Sequence, residues 1–143
     1  MRNRKKLRSI NWGIFIVAVL TAVITASRTM FELTEPIITD LGDGEQSRLE
    51  FRWGFIHNFI LAAIIIISCL LATAWKRLFP YNMPIMIILL GIAYILFFLT
   101  FTVGWVGIQG MLGFIVAFLF GIFLMIVYSI SDLIQRRKTD IKG

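Results

Sequence analysis

The chain has 143 residues, of which 59% are hydrophobic and only 15% are charged, and its mean hydropathy is +0.87. A soluble domain of that composition would expose a large hydrocarbon surface to water, so the composition excludes the soluble class and favours a membrane as the solvent. The formal net charge of +6 comes from 14 basic and 8 acidic residues, and the two signs are concentrated in different parts of the chain.

Four apolar segments are long enough to cross a bilayer, because about 20 residues at ~1.5 Å each cover its ~30 Å core. Between Met83 and Ser131 there is no Asp, Glu, Lys, Arg or His, whereas the strands of a membrane barrel alternate polar and apolar residues. We therefore predict an all-α integral membrane protein, a single transmembrane domain over residues 1–143 built as a four-transmembrane-helix bundle. The predicted spans are residues 10–27, 53–75, 83–103 and 111–130.

The first span follows a basic N-terminal run, an arrangement that secretory signal peptides also show. Thr25 and Ser27 stand at the two positions where a preferred cleavage site has alanine, so we expect an uncleaved signal anchor. Small residues recur every four positions in this span, which would let another helix approach closely; the alternative is that alanine is simply common in membrane helices. The candidate helix-packing residues here are Ala18, Ala22 and Ala26.

Residues 28–52 form the longest break between spans and hold six of the eight acidic residues. The helix of the first span can extend through Leu33 before Pro36 disfavours its continuation. Apolar residues are interleaved through the segment, so we predict a partly structured loop that folds back on the bundle or lies in the membrane interface, with a flexible connector as the alternative. Residues 49–55 are expected to lead into the second helix as a helical extension.

The second span carries His57 and Asn58 about one turn inside its predicted start, next to Arg52. These three residues form a candidate polar site at the outer membrane interface. One interpretation is a ligand-binding or proton-linked histidine; the other is an ordinary interfacial hydrogen bond. A single histidine is too few for a metal site unless carboxylates from the loop join it.

The reversal between the third and fourth spans is predicted over residues 104–110, where glycines are frequent. The fourth span then repeats the small-residue pattern of the first, and its candidate helix-packing residues are Gly113, Ala117 and Gly121. We expect these glycines to serve a tight turn and close packing.

Basic residues are distributed asymmetrically, with eleven of the fourteen in the two tails and the connection after the second span. Because Lys and Arg near span ends favour the cytoplasmic face, we predict a multi-pass protein of the cell membrane with both termini cytoplasmic and the 28–52 loop extracellular. The candidate cytoplasmic contact residues are Arg4, Lys5, Lys6, Arg136, Arg137 and Lys138. Their expected neighbours are anionic lipid headgroups and a protein partner or second copy, with no direct contact to nucleic acid.

The residues that would specify a reaction are not grouped in this sequence. No nucleophile, base and orienting group occur together, and no His/Cys pair has the spacing of metal ligands. The spans lack the buried charged residues that ion pathways and proton relays usually require. We therefore expect no enzymatic activity, no cofactor and no metal.

Three local features carry a family resemblance: the turn Trp75-Lys76-Arg77, the reversal at Gly104-Trp105, and Tyr128 before a Lys/Arg tail. With the four-span layout, the chain resembles small membrane proteins of low-GC Gram-positive bacteria that are often encoded beside LytTR-type transcription regulators. Some of those proteins act as membrane-bound antagonists of the regulators. The resemblance implies a regulatory role exerted through protein contact.

The leading hypothesis is a non-enzymatic membrane regulatory or accessory protein that binds another protein, with restraint of a transcription regulator as one form of it. A small homo-oligomeric channel or transporter whose vestibule is the acidic loop is an alternative from another class. A third hypothesis, an immunity protein against a membrane-active peptide, is equally compatible with the composition.

Overall fold

A computed structural model of the chain describes residues 2–34 and 47–140, with side chains described over 9–34 and 47–134. Its four helices are each long and apolar enough to cross a membrane, which confirms the predicted all-helical, multi-pass architecture. The only described strands form one two-stranded antiparallel ribbon. The elements are α1 Arg2–Thr34, β1 Arg48–Leu49, α2 Phe55–Ala74, α3 Asn82–Phe101, β2 Thr102–Val103 and α4 Val106–Asp140.

Helices α1 and α4 are longer than the predicted spans at both ends. At its C-terminal end α1 continues through residues 28–34, where Arg28 and Glu32 form an i,i+4 ion pair at 2.7 Å. The extension of the first helix through Leu33, which the sequence allows before Pro36, is therefore present beyond the predicted span of residues 10–27. Helix α4 begins at Val106, so Gly107 and Gly110 lie within the helix and not in a turn.

The reversal between α3 and α4 needs only residues 102–105. Gly104 adopts a φ of +83°, a left-handed conformation that a residue without Cβ adopts at little cost. A single residue in that conformation turns the chain, so the predicted seven-residue turn is shorter in the structure.

Helix α3 is the centre of the bundle and packs against each of the other three helices. In its most apolar stretch 33% of the residues are buried inside the protein, against 6% in α1 and in α2. The closest partner of α3 is α4, which runs antiparallel beside it. Most of the apolar surface of α1 and α2 is left for the hydrocarbon of a bilayer.

The small residues of α4 lie where α3 comes closest. A Cβ on Gly113 would lie 2.5 Å from the Tyr94 ring, and one on Gly121 would lie 2.5 Å from Ile88. A Cβ on Gly91 of α3 would lie 2.6 Å from the Cβ of Ala117. The predicted stripe of α4 therefore faces α3, as close helix packing requires.

Residues 47–54 are extended, which makes the prediction of a helical lead-in over residues 49–55 wrong. Arg48 pairs with Val103 and Leu49 with Thr102 in the ribbon. The backbone of this segment forms hydrogen bonds with the end of α3. These bonds replace the helical ones that would extend α2 toward residue 49. The predicted docking of the loop on the bundle holds for residues 47–54, whereas residues 35–46 lie outside the described part of the chain.

The bundle has two distinct ends. We call the end that carries residues 47–54 and 102–105 the loop end. The opposite end, where α1 begins and α4 finishes, is the tail end. The first and last described helices begin and finish at the same end because four helices follow one another across the bundle.

Replacement of Gly91 by alanine tests the α3–α4 contact. Gly91→Ala places a methyl group where Ala117 cannot move aside, so we expect a loss of about 1–3 kcal/mol from overpacking. Gly107 is the matched control, because a Cβ there meets nothing within 4 Å. Gly107→Ala should leave stability unchanged or raise it by up to ~1 kcal/mol through helix propensity. Thermal unfolding in mild detergent measures both, and equal midpoints would contradict the close approach.

Candidate functional site

His57 lies in the first turn of α2 and uses both ring nitrogens. Its Nδ1 accepts a hydrogen bond from the Gly54 backbone N–H at 3.1 Å. Since Nδ1 accepts, the neutral ring carries its proton on Nε2, which donates to the Leu99 carbonyl at 3.2 Å. The ring also stacks on Trp53, with centroids 5.4 Å apart. His57 thus joins the start of α2 to the end of α3.

The Leu99 bond belongs to a set that satisfies the C-terminal end of α3. The last carbonyls of a helix have no intrahelical donor, and in lipid an unpaired carbonyl costs several kcal/mol. Here each of the last four carbonyls accepts a hydrogen bond. The donors are Thr102 N–H to Phe98, His57 Nε2 to Leu99 at 3.2 Å, Arg52 N–H to Thr100 at 2.8 Å and Glu50 N–H to Phe101 at 3.1 Å.

The same segment also caps α4. Ser47 Oγ accepts a hydrogen bond from the Val106 backbone N–H at 3.2 Å, the role that serine commonly plays at helix N-termini. Gly104 permits this approach, because a Cβ there would lie 2.9 Å from the Ser47 Cα. We call residues 47–57 the cap, since they satisfy helix ends of both α3 and α4.

The three residues of the predicted polar site, Arg52, His57 and Asn58, all lie at the loop end, and each side chain bonds to a residue outside this set. Asn58 Oδ1 accepts from Trp53 Nε1 at 2.9 Å. The Arg52 guanidinium is exposed and lies 3.8 Å from a Glu50 carboxylate oxygen. Among the described residues no group of three or more His, Cys, Asp or Glu side chains could hold a metal ion. This geometry favours the interfacial hydrogen-bond interpretation of His57 over the ligand-binding one.

Replacement of His57 by phenylalanine tests its role in the cap. His57→Phe keeps an aromatic ring beside Trp53 but leaves the Leu99 carbonyl and the Gly54 N–H without partners. We expect a loss of about 1–3 kcal/mol in the free energy of unfolding. Asn58→Ala, which removes a bond at the exposed surface, should cost less than about 1 kcal/mol. Chemical or thermal unfolding in detergent measures both, and an unperturbed His57→Phe protein would show that the cap does not depend on the ring.

At the tail end a buried polar pair joins α1 to α4. The Tyr128 hydroxyl donates to the Asn11 Oδ1, and the two residues are only 7% and 1% exposed. Tyr128 packs in the cluster with Ile87 and Leu124. Among the described residues the Asn11 Nδ2 has no hydrogen-bond partner. We call this pair the clasp.

Sequence reasoning missed Asn11, although a signal was present. Asn11 is the one carboxamide in the first predicted span, and an amide within a membrane helix needs a partner. In the sequence Tyr128 is one of the features that carry the family resemblance, and nothing there indicates a contact with α1. The sequence does not indicate that these two residues pair, because 117 positions separate them.

The clasp determines where the basic tails lie. Arg4 begins a basic run about two turns before Asn11, and Arg136 begins another about two turns after Tyr128. Both runs are in helix, because α1 begins at Arg2 and α4 continues to Asp140. The backbones of the two predicted contact segments, residues 4–6 and 136–138, are therefore brought to the same end of the bundle.

A double-mutant cycle tests the clasp. Tyr128→Phe leaves the whole Asn11 carboxamide buried without a partner, and we expect a loss of about 1–3 kcal/mol. Asn11→Leu in the Tyr128→Phe background removes the orphaned group, so it should recover most of that loss. Unfolding midpoints in detergent give the coupling energy, and additive effects of the two changes would contradict the bond.

Between the clasp and the loop end, α1 stands away from α4 over a cleft of about 400 Å³. Five small residues of three helices line it: Ala18, Ala22, Gly91, Gly113 and Ala117. A groove of about 660 Å³ on the other side of α1 includes Ala22 and Ala26. The predicted stripe of α1 thus borders two open spaces instead of packing tightly on a neighbour.

Polar contacts close the cleft toward the loop end. The Thr25 and Tyr94 hydroxyls are 3.0 Å apart. Since the Thr25 hydrogen is directed to carbonyls of its own helix, Tyr94 is the donor of this pair. Thr29 Oγ1 and Gln109 Oε1 are 3.1 Å apart. Helix α1 is therefore held to α3 and α4 by hydrogen bonds on both sides of an apolar opening.

The acidic loop contributes little to the described site. Glu32 pairs with Arg28 on α1, and Glu50 pairs with Arg48 at 2.9 Å. The remaining carboxylates of the segment, Glu35, Asp40, Asp43 and Glu45, lie outside the described residues.

In comparisons with known proteins, no protein family matches the chain, and no curated protein or solved structure is significantly similar to it. The resemblance to the small membrane proteins found beside LytTR-type regulators stays a prediction from the sequence.

Proposed function

We propose that this chain is a non-enzymatic regulatory or accessory protein of the cell membrane that acts by contact with another protein. The observation that supports this proposal best is the clasp. It joins α1 to α4 near the end of the bundle where the two basic helical segments begin and finish. These segments would form the contact surface.

Charge supports this assignment of the contact surface. Residues 2–8 contain five basic residues and no acidic one, and residues 135–140 contain three basic residues and one acidic residue. Two cationic helical segments at the same end of the bundle attract an anionic surface. Anionic lipid headgroups are the default neighbours, and an acidic surface of a soluble partner would compete with them.

Restraint of a transcription regulator is the form of this function that the family resemblance suggests. A soluble regulator bound to the tail end would be kept at the membrane and away from DNA. This form requires both termini to be cytoplasmic, as the distribution of Lys and Arg favours.

Cysteine labelling tests the orientation. The native Cys69 is first replaced by serine, and single cysteines are then introduced as Lys5→Cys at the tail end and Arg48→Cys at the loop end. A membrane-impermeant maleimide should label Arg48→Cys on intact cells without outer barriers. It should label Lys5→Cys only in inverted vesicles. The reverse pattern would refute the cytoplasmic tail end and, with it, a soluble cytoplasmic partner.

Charge neutralisation tests the contact. The full chain is purified in mild detergent from native membranes, with and without the combined changes Lys5→Gln, Lys6→Gln, Arg136→Gln and Arg137→Gln. We expect a protein partner in stoichiometric amount that the neutralised variant loses by tenfold or more, since several charge-assisted contacts are removed at once. Arg48→Gln is the control for loss of one cation at the other end and should retain the partner.

Two outcomes would count against the proposal. One is a wild-type chain that carries no stoichiometric protein and changes the output of no neighbouring regulator. The other is equal partner retention by the neutralised variant with its orientation unchanged in the labelling assay.

A further inference from the structure

The cleft between α1 and α4 has the dimensions of a narrow channel along the helices. On α4 its lining extends from Gln109 to Phe120, about 16 Å at ~1.5 Å per residue. Its volume is about 400 Å³, too little for another helix, which is about 10 Å across. The cleft opens sideways on the apolar surface that the hydrocarbon of a bilayer covers.

The walls of the cleft are apolar along most of its length. Thr21 and Thr25 line it, but each hydroxyl donates its hydrogen to a carbonyl of α1, at 2.9 and 2.8 Å. The Tyr94 hydroxyl is used by Thr25. These groups therefore offer no free donor, and water in such a space would lack the two to four partners it needs.

Gln109 is different from the other lining residues. It lies in the first turn of α4, at the loop end of the cleft, and one end of its carboxamide contacts the Thr29 hydroxyl at 3.1 Å. No described residue meets its other end. Since a carboxamide carries two N–H donors, at least one N–H is left over in either orientation of the amide.

The cleft is thus apolar along its length and has hydrogen-bond donors at the end nearest a membrane surface. We propose that it binds one acyl chain of a membrane phospholipid, whose ester or phosphate oxygens accept from the Gln109 carboxamide. The orientation matches, because lipid oxygens lie at the surface and the chain runs toward the bilayer centre. This lipid site does not depend on the proposed protein contact at the tail end.

A bound chain would also complete the packing of α1. The small residues Ala18 and Ala22 of α1 border space that the described side chains do not fill. A hydrocarbon chain supplies the missing contacts along this part of the helix. The phospholipid would then act as a structural ligand that holds α1 at its distance from α4.

Photocrosslinking in vesicles tests the site. The full chain is reconstituted in phosphatidylcholine with a small fraction of phosphatidylglycerol that carries a diazirine in one acyl chain, and adducts are mapped by mass spectrometry. We expect a higher yield of adducts at cleft residues, such as Leu112 and Val116, than at lipid-facing residues of α2, such as Ile65 and Ile66. Equal labelling of α2 and the cleft would overturn the proposal.

Two variants separate specific binding from general exposure. Ala18→Phe fills the cleft and should abolish the concentrated adducts, whereas Ala62→Phe on the exposed face of α2 should leave them unchanged. Gln109→Glu keeps an oxygen that accepts from Thr29 but removes both N–H donors. It should lower cleft labelling about tenfold, the change expected for loss of one hydrogen bond to a charged group.

Retention of cleft adducts in Ala18→Phe would refute binding there. Unchanged labelling of a folded Gln109→Glu chain would refute the polar anchor even if Ala18→Phe fails to fold. Adducts between two copies of the chain at cleft residues, in place of lipid adducts, would show that a second protein occupies the space and would also overturn the proposal.

Discussion

The carbonyl groups at the end of α3 need hydrogen-bond donors close to a hydrocarbon phase, and the loop end of the bundle is built around meeting that need. The cap brings three of those donors from a distant part of the sequence, two from its backbone and one from His57. Once residues 50–57 are bound in this way, Ser47 is carried to the start of α4. Two helix ends and the entry into α2 are thus fixed by one short segment.

Attachment of α1 follows a different principle. Helices α3 and α4 approach closely through glycines, and their contact is dominated by packing. Helix α1 lies farther from α4 and is joined to the bundle by side-chain hydrogen bonds, at Asn11 near the tail end and at Thr25 and Thr29 near the loop end. Hydrogen bonds between membrane helices are modest individually, about 0.6–2 kcal/mol. The apolar opening beside α1 is a direct result of joining a helix in this way.

Hydropathy and length predicted the number and approximate bounds of the helices, because these depend on local properties of the chain. The small-residue spacing also identified Gly113 and Gly121 as candidates for packing. Two helices can approach closely only where small residues lie between them, whichever helix the partner is. The cap and the clasp could not be predicted. The pairing of Leu49 with Thr102 overrode local helix preference near residues 49–55, and Asn11 gave no indication that its partner would be Tyr128. Long-range hydrogen bonds are set by the fold and not by local spacing.

The clasp has a consequence for the biogenesis of the protein. Asn11 is synthesised 117 residues before its partner Tyr128. During synthesis α1 must therefore enter the bilayer as a single helix with its carboxamide unmatched. The position of Asn11 near the start of the span keeps it within reach of interfacial water during that interval. Of the four described helices, the last to be synthesised is thus the one that fixes α1 in place.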